Sequence, residues 1–345
     1  MFSFLVTSDL HLTDKASDEY RWNFLRWLSD KASEDSRIKS IFILGDLCDR
    51  KDRHSSVLVN RVQKEIQKLS EICPIYILKG NHDHPDGGVP FWDFLSGTPN
   101  VEFISTIRSQ VFYEFSCLFL PHTKTPAKDW SDRNDWHLYD FIFLHQTMKG
   151  SVSSTGQILD GDDMPDLPDG PFYVSGDLHI PQTIKNILYV GSPYDVKFGD
   201  QIPGRILRFD VERKDGKPDI ITRGIETPRV TLSVEEVDVR NGVLWKEKLK
   251  EHQNGRLRLK IRISSDQLED WPEMEKEIRE RSGEIGVDID SISLSVETGV
   301  RTASMEKAIS RDLEEIIKDY AGQQEIDSFV GQEGINILRE FQKKG

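Results

Sequence analysis

The sequence predicts an α/β fold built on a doubly wound sheet, and three observations predict it. Five apolar runs each end on Asp, Asn or His. Phe4–Val6 precedes Asp9 and His11, Ile41–Leu44 precedes Gly45-Asp46, and Ile75–Leu78 precedes Gly80-Asn81-His82-Asp83. Phe141–Leu144 precedes His145, and Phe172–Val174 precedes Gly176-Asp177-Leu178-His179. Short apolar runs stopped by a turn are how buried parallel strands read. Amphipathic helical segments alternate with the first three runs, which is the βαβ pattern. The polar residues all fall at the carboxyl ends of strands, where open α/β sheets bind ligands.

Taken in order, Met1 to Val6 is apolar without a basic leader or a small-residue cleavage site, so it reads as a first strand and not a signal peptide. Ser17 to Ser33 reads as a helix with Trp22, Leu25 and Leu28 on one face, and Asp18 and Glu19 suit its positive N-terminal end. After the second strand, Gly45 permits a sharp turn that leaves Asp46 at the mouth of the sheet. Ser55 to Ile72 is a second helix, with Leu58, Val62, Ile66 and Leu69 at helical spacing and Pro74 closing it. His84 to Asn100 reads as a loop carrying Phe91, Trp92 and Phe94. Strands alternate over Val101 to Leu120, and Pro121 to His137 is irregular. Met148 to Gly170 is rich in Gly, Ser, Asp and Pro, and loops of that length are usually functional. Ile187–Val190 and Arg205–Val211 are further strands, and Lys214-Asp215-Gly216-Lys217 is a hairpin turn.

A second, α+β domain is expected from about Pro228. Its strands are Val230–Val239, Gly255–Ile263 and Val287–Val296, and its helices are Val243–His252 and Gln267–Ser282. The middle strand alternates strictly. Leu257, Leu259, Ile261 and Ile263 share one face, and Arg256, Arg258, Lys260 and Arg262 the other. That basic face suits either a solvated edge or a nucleic-acid backbone. Thr302 to Gly345 has two short helical stripes and suits docking on a partner or back on the body. The expected domains are therefore 1–227, 228–300 and 301–345.

A chain of 345 residues with 37% hydrophobic and 30% charged residues fits a soluble globular protein, and no apolar run is long enough to span a membrane. A net charge of −14 argues against a broad, free-standing nucleic-acid binder. It is compatible with a nucleic-acid enzyme whose metals and partner supply positive charge. Cys48, Cys73 and Cys117 are odd in number and widely spaced, so a disulfide framework is not expected and the cytoplasm is the simplest compartment.

Asp and Asn oxygens with His nitrogens suit divalent Mn²⁺, Mg²⁺, Fe²⁺ or Zn²⁺. The ligand count fits two ions better than one. Asp46 would bridge them, with Asp9, His11 and His179 completing one site and Asn81, His145 and Asp177 the other. Paired metals clamp the attacking and leaving oxygens of a phosphoryl displacement. His82 is then the candidate general acid, oriented by Asp83, and Asp49 a candidate for orienting the ligands. His54, His84, His122, His137 and His252 are expected outside the cluster.

Asp9-x-His11, Gly45-Asp46-x-x-Asp49, Gly80-Asn81-His82-Asp83, His145 and Gly176-x-x-His179 together resemble the calcineurin-like metallophosphoesterase superfamily over residues 1–210. The resemblance implies a four-layer αββα sandwich with a two-metal site. Tyr189-x-Gly191-Ser192-Pro193 and Phe198-Gly199-Asp200 resemble SbcD-type nuclease subunits and their bacteriophage counterparts. For this chain, that implies a manganese-dependent (alternatively magnesium-dependent) DNA exo/endonuclease subunit for repair or recombination. It also implies a homodimer, a small α+β capping domain, and a helical tail that docks an SbcC-like ABC-type ATPase. One departure stands out: the usual Gly-His-x-His reads Gly176-Asp177-Leu178-His179 here. A phosphodiesterase or phosphatase for a small molecule or phosphoprotein, or a weakly active scaffold, is the competing reading.

Overall fold

In a computed structural model of the chain, residues 1–84, 88–200, 202–228, 230–240 and 245–297 are described. In chain order the strands of the main body are β1 (Phe2–Thr7), β2 (Ile38–Leu44), β3 (Ile75–Leu78), β4 (Val101–Ile104), β5 (Arg108–Phe112) and β6 (Phe115–Leu120). They continue with β7 (Phe141–His145), β8 (Phe172–Gly176), β9 (Gln182–Ile184), β10 (Ile187–Tyr189), β11 (Arg205–Lys214) and β12 (Lys217–Glu226). They form two six-stranded sheets, in the orders β12-β11-β1-β2-β3-β4 and β5-β6-β7-β8-β10-β9. The strands β1 to β4 are mutually parallel, as are β6, β7, β8 and β10, so the five polar strand ends lie at carboxyl edges.

Side-chain alternation explains the layering. In β1, Leu5 joins the cluster beneath the helices α1 (Glu19–Ser33) and α2 (Ser56–Ser70), whereas Phe4 and Val6 join the cluster between the sheets. The helices add Trp22, Leu25, Leu28, Leu58, Val62, Ile66 and Leu69 to the first cluster, the residues that the helical spacing picks out. Helix α2 begins where Ser55 accepts a hydrogen bond from the Leu58 N–H at 3.1 Å, an N-cap. The layer between the sheets is aromatic. Phe4 stacks on Phe209 at 5.0 Å and Phe42 on Phe143 at 4.8 Å, and each such pair adds about 0.5–1.5 kcal/mol beyond its burial. The outer face of the second sheet carries Leu118, Leu120, Ile142, Leu144 and Tyr173, packed with Trp130, Trp136 and Met148. Its covering layer is thin: the four-residue helix α3 (Pro126–Asp129), a 3-10 turn at Trp136–Leu138, and loop. This is the sandwich that the sequence predicts.

The β11–β12 hairpin turns at Asp215 (φ 53°) and Gly216 (φ 76°), and two positive φ values are what a two-residue hairpin turn needs. The expected loop after Asp83 contains a 3-10 run, Phe91–Gly97, whose Trp92 and Leu95 are buried. Further on come β13 (Leu232–Asp238), α4 (Trp245–Lys250), β14 (Arg256–Ser264), α5 (Trp271–Glu284) and β15 (Asp288–Glu297), with strand order β13-β14-β15.

The chain divides into two compact units, the first being Met1–Glu235, Trp245–Leu259 and Ile278–Ile292. Much of the segment expected as a separate capping domain therefore groups with the first unit. The basic face of β14 differs from expectation at Arg256. That side chain is buried, donating to Asp18 at 3.1 Å and to Asp290 at 2.6 Å. Arg258 pairs with the same Asp290 at 2.8 Å, and Arg262 pairs with Glu236. These partners neutralise most of the face, which favours the solvated-face reading, but β14 is the middle strand of its sheet and not an edge. The expected tail, 301–345, lies outside the described residues. No described helix is long and apolar enough to cross a membrane.

Candidate metal centre

The loops after β1, β2, β3, β7 and β8 converge, and backbone hydrogen bonds lock the first two together. The Asp9 N–H donates to the Gly45 carbonyl at 3.0 Å and the His11 N–H to the Asp46 carbonyl at 2.9 Å. Asp9 (φ 55°), His11 (44°), Asp46 (54°) and Asp177 (79°) all adopt left-handed backbone. Non-glycine residues seldom do so, and each instance costs on the order of 1–3 kcal/mol unless its surroundings enforce it. The glycines of the motifs make room. A Cβ on Gly45 would meet His145 Nδ1 at 2.1 Å, and one on Gly80 would meet Asp46 Oδ1 at 2.2 Å.

Asp46 lies at the centre. Its Oδ2 is 3.6 Å from His11 Nε2, and its Oδ1 is 3.4 Å from His145 Nε2. On the His11 side, His179 Nε2 is 3.2 Å from His11 Nε2. On the His145 side, the Asn81 amide oxygen is 3.4 Å and Asp177 Oδ1 3.5 Å from His145 Nε2. The His145 Nδ1–H donates to the Leu44 carbonyl at 2.6 Å, which leaves Nε2 as the ring atom that faces the cluster. Three-residue groups that could hold an ion are Asp9–His11–His179, Asp9–Asp46–His145 and His11–Asp46–His82. The seven residues that the sequence singles out as ligands are thus brought together. Asp177 sits at the margin, held by the Thr147 hydroxyl.

His82 and Asp83 are arranged differently from expectation. Asp83 does not orient the His82 ring. Its buried carboxylate accepts the backbone N–H groups of Asp46 at 2.8 Å, Leu47 at 3.0 Å and Gly80 at 2.7 Å, pinning the β2 loop to the β3 loop. Consecutive residues of a tight turn point apart, so sequence adjacency misleads here. The ring of His82 is oriented instead by the Asp49 carbonyl, which accepts from Nδ1 at 2.6 Å, and it stands edge-on to His11 at 4.9 Å between centroids. The Asp49 side chain lies 3.6 Å from His11 Nδ1.

Electrostatics show the chemistry that the cluster suits. Burial pushes the Asp9 and Asp46 carboxyls up, Asp46 well above the usual range, and pulls His11 well below its own. For His145, burial pulls down, but Asp46, Asp177 and Asp9 outweigh it and carry the imidazole up to about 9. Both Asp9 oxygens are buried with no hydrogen-bond partner, and so is His11 Nδ1. Buried carboxylates are ordinarily paired or bound to metal, so this donor set fits divalent ions.

Several supporting residues carry no signal that assigns them a role from sequence. The Ser192 hydroxyl donates to the Asp9 carbonyl at 3.1 Å or the Tyr194 carbonyl at 2.8 Å, and Tyr194 donates to the Leu10 carbonyl at 2.6 Å. Arg21 reaches the His11 carbonyl from α1. The buried Asp200 carboxylate stands 3.7 Å from His179 Nδ1 and accepts from the Ser154 hydroxyl at 2.6 Å. Burial raises the Asp200 carboxyl, but the neighbouring His179 imidazole and hydrogen bonds from the Ser154 hydroxyl and the Lys197 N–H overcome it and hold it at about 2. Of these, Ser192 and Asp200 alone lie in the Gly191-Ser192-Pro193 and Phe198-Gly199-Asp200 stretches that the sequence singles out. His54 is not in the cluster; it packs on Phe91 and Trp92. His252 faces Glu235, and Cys48 is a packed residue whose thiol burial pushes well up.

Comparison with known proteins gives the chain a family. The chain is 27% identical over 179 residues to "Putative phosphoesterase 244L" of Invertebrate iridescent virus 6, covering 48% of this chain and 61% of the viral protein. It is 23% identical over 215 residues to "Putative phosphoesterase 078R" of Invertebrate iridescent virus 3, covering 57% and 59%. The chain thus spans about three fifths of the length of these curated relatives. Among solved structures, an archaeal phosphodiesterase aligns over 64% of this chain and 100% of its own, with 13% identity and a TM-score of 0.35. The nuclease MPE of Pseudomonas putida aligns over 46% and 67%, with 16% identity and a TM-score of 0.29. The profile of the calcineurin-like phosphoesterases matches residues 2–181, just over half of the chain, and on that match the chain belongs to the calcineurin-like phosphoesterase family.

Proposed function

We propose that this chain is a two-metal phosphodiesterase that cleaves DNA as an SbcD-type nuclease subunit. The observation that carries the two-metal reading is Asp46, whose two carboxylate oxygens face different histidine groups, His11 on one side and His145 on the other. In this reading Asp9, His11, Asp46 and His179 hold one ion, and Asp46, Asn81, His145 and Asp177 hold the second. Manganese is the proposed metal and magnesium the alternative. Bound there, such ions supply Lewis-acid stabilisation of the phosphoryl oxygens and activation of the attacking water.

The chain's own groups do the rest. Asp83 fixes the loop that aims Asp46, and Asp200 and Ser192 support His179 and the Asp9 loop. His82, held through Nδ1 by the Asp49 carbonyl, is the group placed to give a proton from Nε2 to the leaving oxygen. Because His82 also lies within ligand range of His11 and Asp46, its role as a non-ligand needs its own test. Capping by residues 228–300, a homodimer and an SbcC-like ATPase partner belong to the same reading. Exposed Phe91 and Phe94, with ring centroids 5.9 Å apart, offer an apolar surface for a second copy.

The test is Mn²⁺-dependent cleavage of an end-labelled linear DNA duplex, run beside Asp46→Ala and Asp177→His. Cleavage that Asp46→Ala abolishes is the expected result, and Asp177→His then reports what the departure from histidine costs. Hydrolysis of bis-p-nitrophenyl phosphate with no DNA cleavage, by the chain alone or together with an SbcC-like ATPase, would overturn the DNA assignment in favour of a different phosphodiester substrate.

A further inference from the structure

Beside the centre, on the Asn81 side, lies a cleft of about 500 Å³. Its walls include Lys51, Lys79, Lys124, His84 and His122, with Asp129 as the acidic member. In a chain of net charge −14, three lysines at one cleft are a local inversion of sign, and a cleft lined mainly by one sign focuses the field on an incoming ligand of the other. Asn81 belongs both to this wall and to the centre, 3.4 Å from His145, so the cleft is continuous with the place where a phosphoryl group would react.

Three features mark the cleft as built for an anion. Lys79 follows β3 directly, so a rigid strand places it in the cleft wall. The Asp129 carboxylate is engaged by the hydroxyls of Thr123 and Thr125, which reduces its competition for the lysines. His122 packs toward His145 at 6.2 Å between ring centroids, and its Nδ1 is buried with no hydrogen-bond partner. A phosphate has acceptor oxygens enough for an ammonium and an imidazole N–H at once.

We propose that this cleft is a subsite for the phosphate next to the scissile one, so that the preferred substrate is a phosphodiester carrying a second phosphate one nucleotide away. This rests on the phosphodiesterase reading of the centre and narrows it. A lone diester reaches only the metal ligands, whereas a nucleotide chain also engages Lys51 and Lys79.

The experiment measures equilibrium binding of d(TpT), its 5′-phosphorylated form and its 3′-phosphorylated form to the full chain in EDTA. One of the two terminally phosphorylated dinucleotides binds on the order of tenfold tighter than d(TpT), as one charge-assisted contact provides. The gain shrinks with added salt, disappears in Lys51→Gln/Lys79→Gln, and persists in Lys79→Arg, which also controls for folding. Equal affinities for all three ligands, or a gain that survives the double glutamine variant, would overturn the proposal. Mn²⁺-dependent hydrolysis of bis-p-nitrophenyl phosphate is read separately. Turnover without a phosphate gain sinks the subsite alone, and a phosphate gain without turnover sinks the phosphodiesterase reading and reduces the cleft to a phosphate-binding site with no scissile neighbour.

Discussion

Three backbone N–H groups converge on the fully buried carboxylate of Asp83, and that convergence sets the position of Asp46. Removing the carboxylate leaves all three donors without a partner in a site closed to water. Each unsatisfied group costs about 1–3 kcal/mol. Asp83→Ala is therefore expected to lose at least about 3 kcal/mol in urea denaturation, with Asp83→Asn losing less because one amide oxygen still accepts. A loss under about 1 kcal/mol for the alanine variant would show that the loops hold without the clamp. The same residue marks a limit of sequence reading. Gly80-Asn81-His82-Asp83 announces a site, but only the turn geometry tells that Asn81 and His82 face the cluster while Asp83 faces backbone.

At the scale of elements, the apolar patterns were legible because two different faces impose them. Helix α2 keeps Leu58, Val62, Ile66 and Leu69 inside, and each strand ending in a polar residue is apolar on both faces because a layer covers each. What was hidden lacks such a pattern. Strand β9 is three residues long and partly polar, and the buried Arg256 breaks the alternation of β14 through partners, Asp18 and Asp290, that lie far away in the chain. The inter-sheet layer gives an element-scale test. Phe143 is fully buried and stacks on Phe42, Phe119 and Phe141. Phe143→Ala is expected to cost about 3–5 kcal/mol, as large-to-small changes in tight cores do. A cost near 1 kcal/mol would mean that the sheets repack around the gap.

For the whole molecule, an acidic chain of net charge −14 sets the buried carboxylates of Asp9, Asp46 and Asp83 at the carboxyl ends of its strands and lysines in the cleft beside them. The first arrangement calls for cations and the second for an anion, the pairing that a metal-assisted phosphodiesterase requires. Ligand binding to the folded state alone raises stability, so saturating Mn²⁺ should also raise the melting temperature. The most direct test is the Mn²⁺ stoichiometry of the full chain by equilibrium dialysis, measured beside Asp46→Ala and His82→Ala. Two ions per chain are expected, fewer in Asp46→Ala, and two retained in His82→Ala with turnover lost. One ion or none in the unmodified chain would contradict the paired centre, and loss of an ion in His82→Ala would make His82 a ligand and leave the leaving oxygen without its proposed donor.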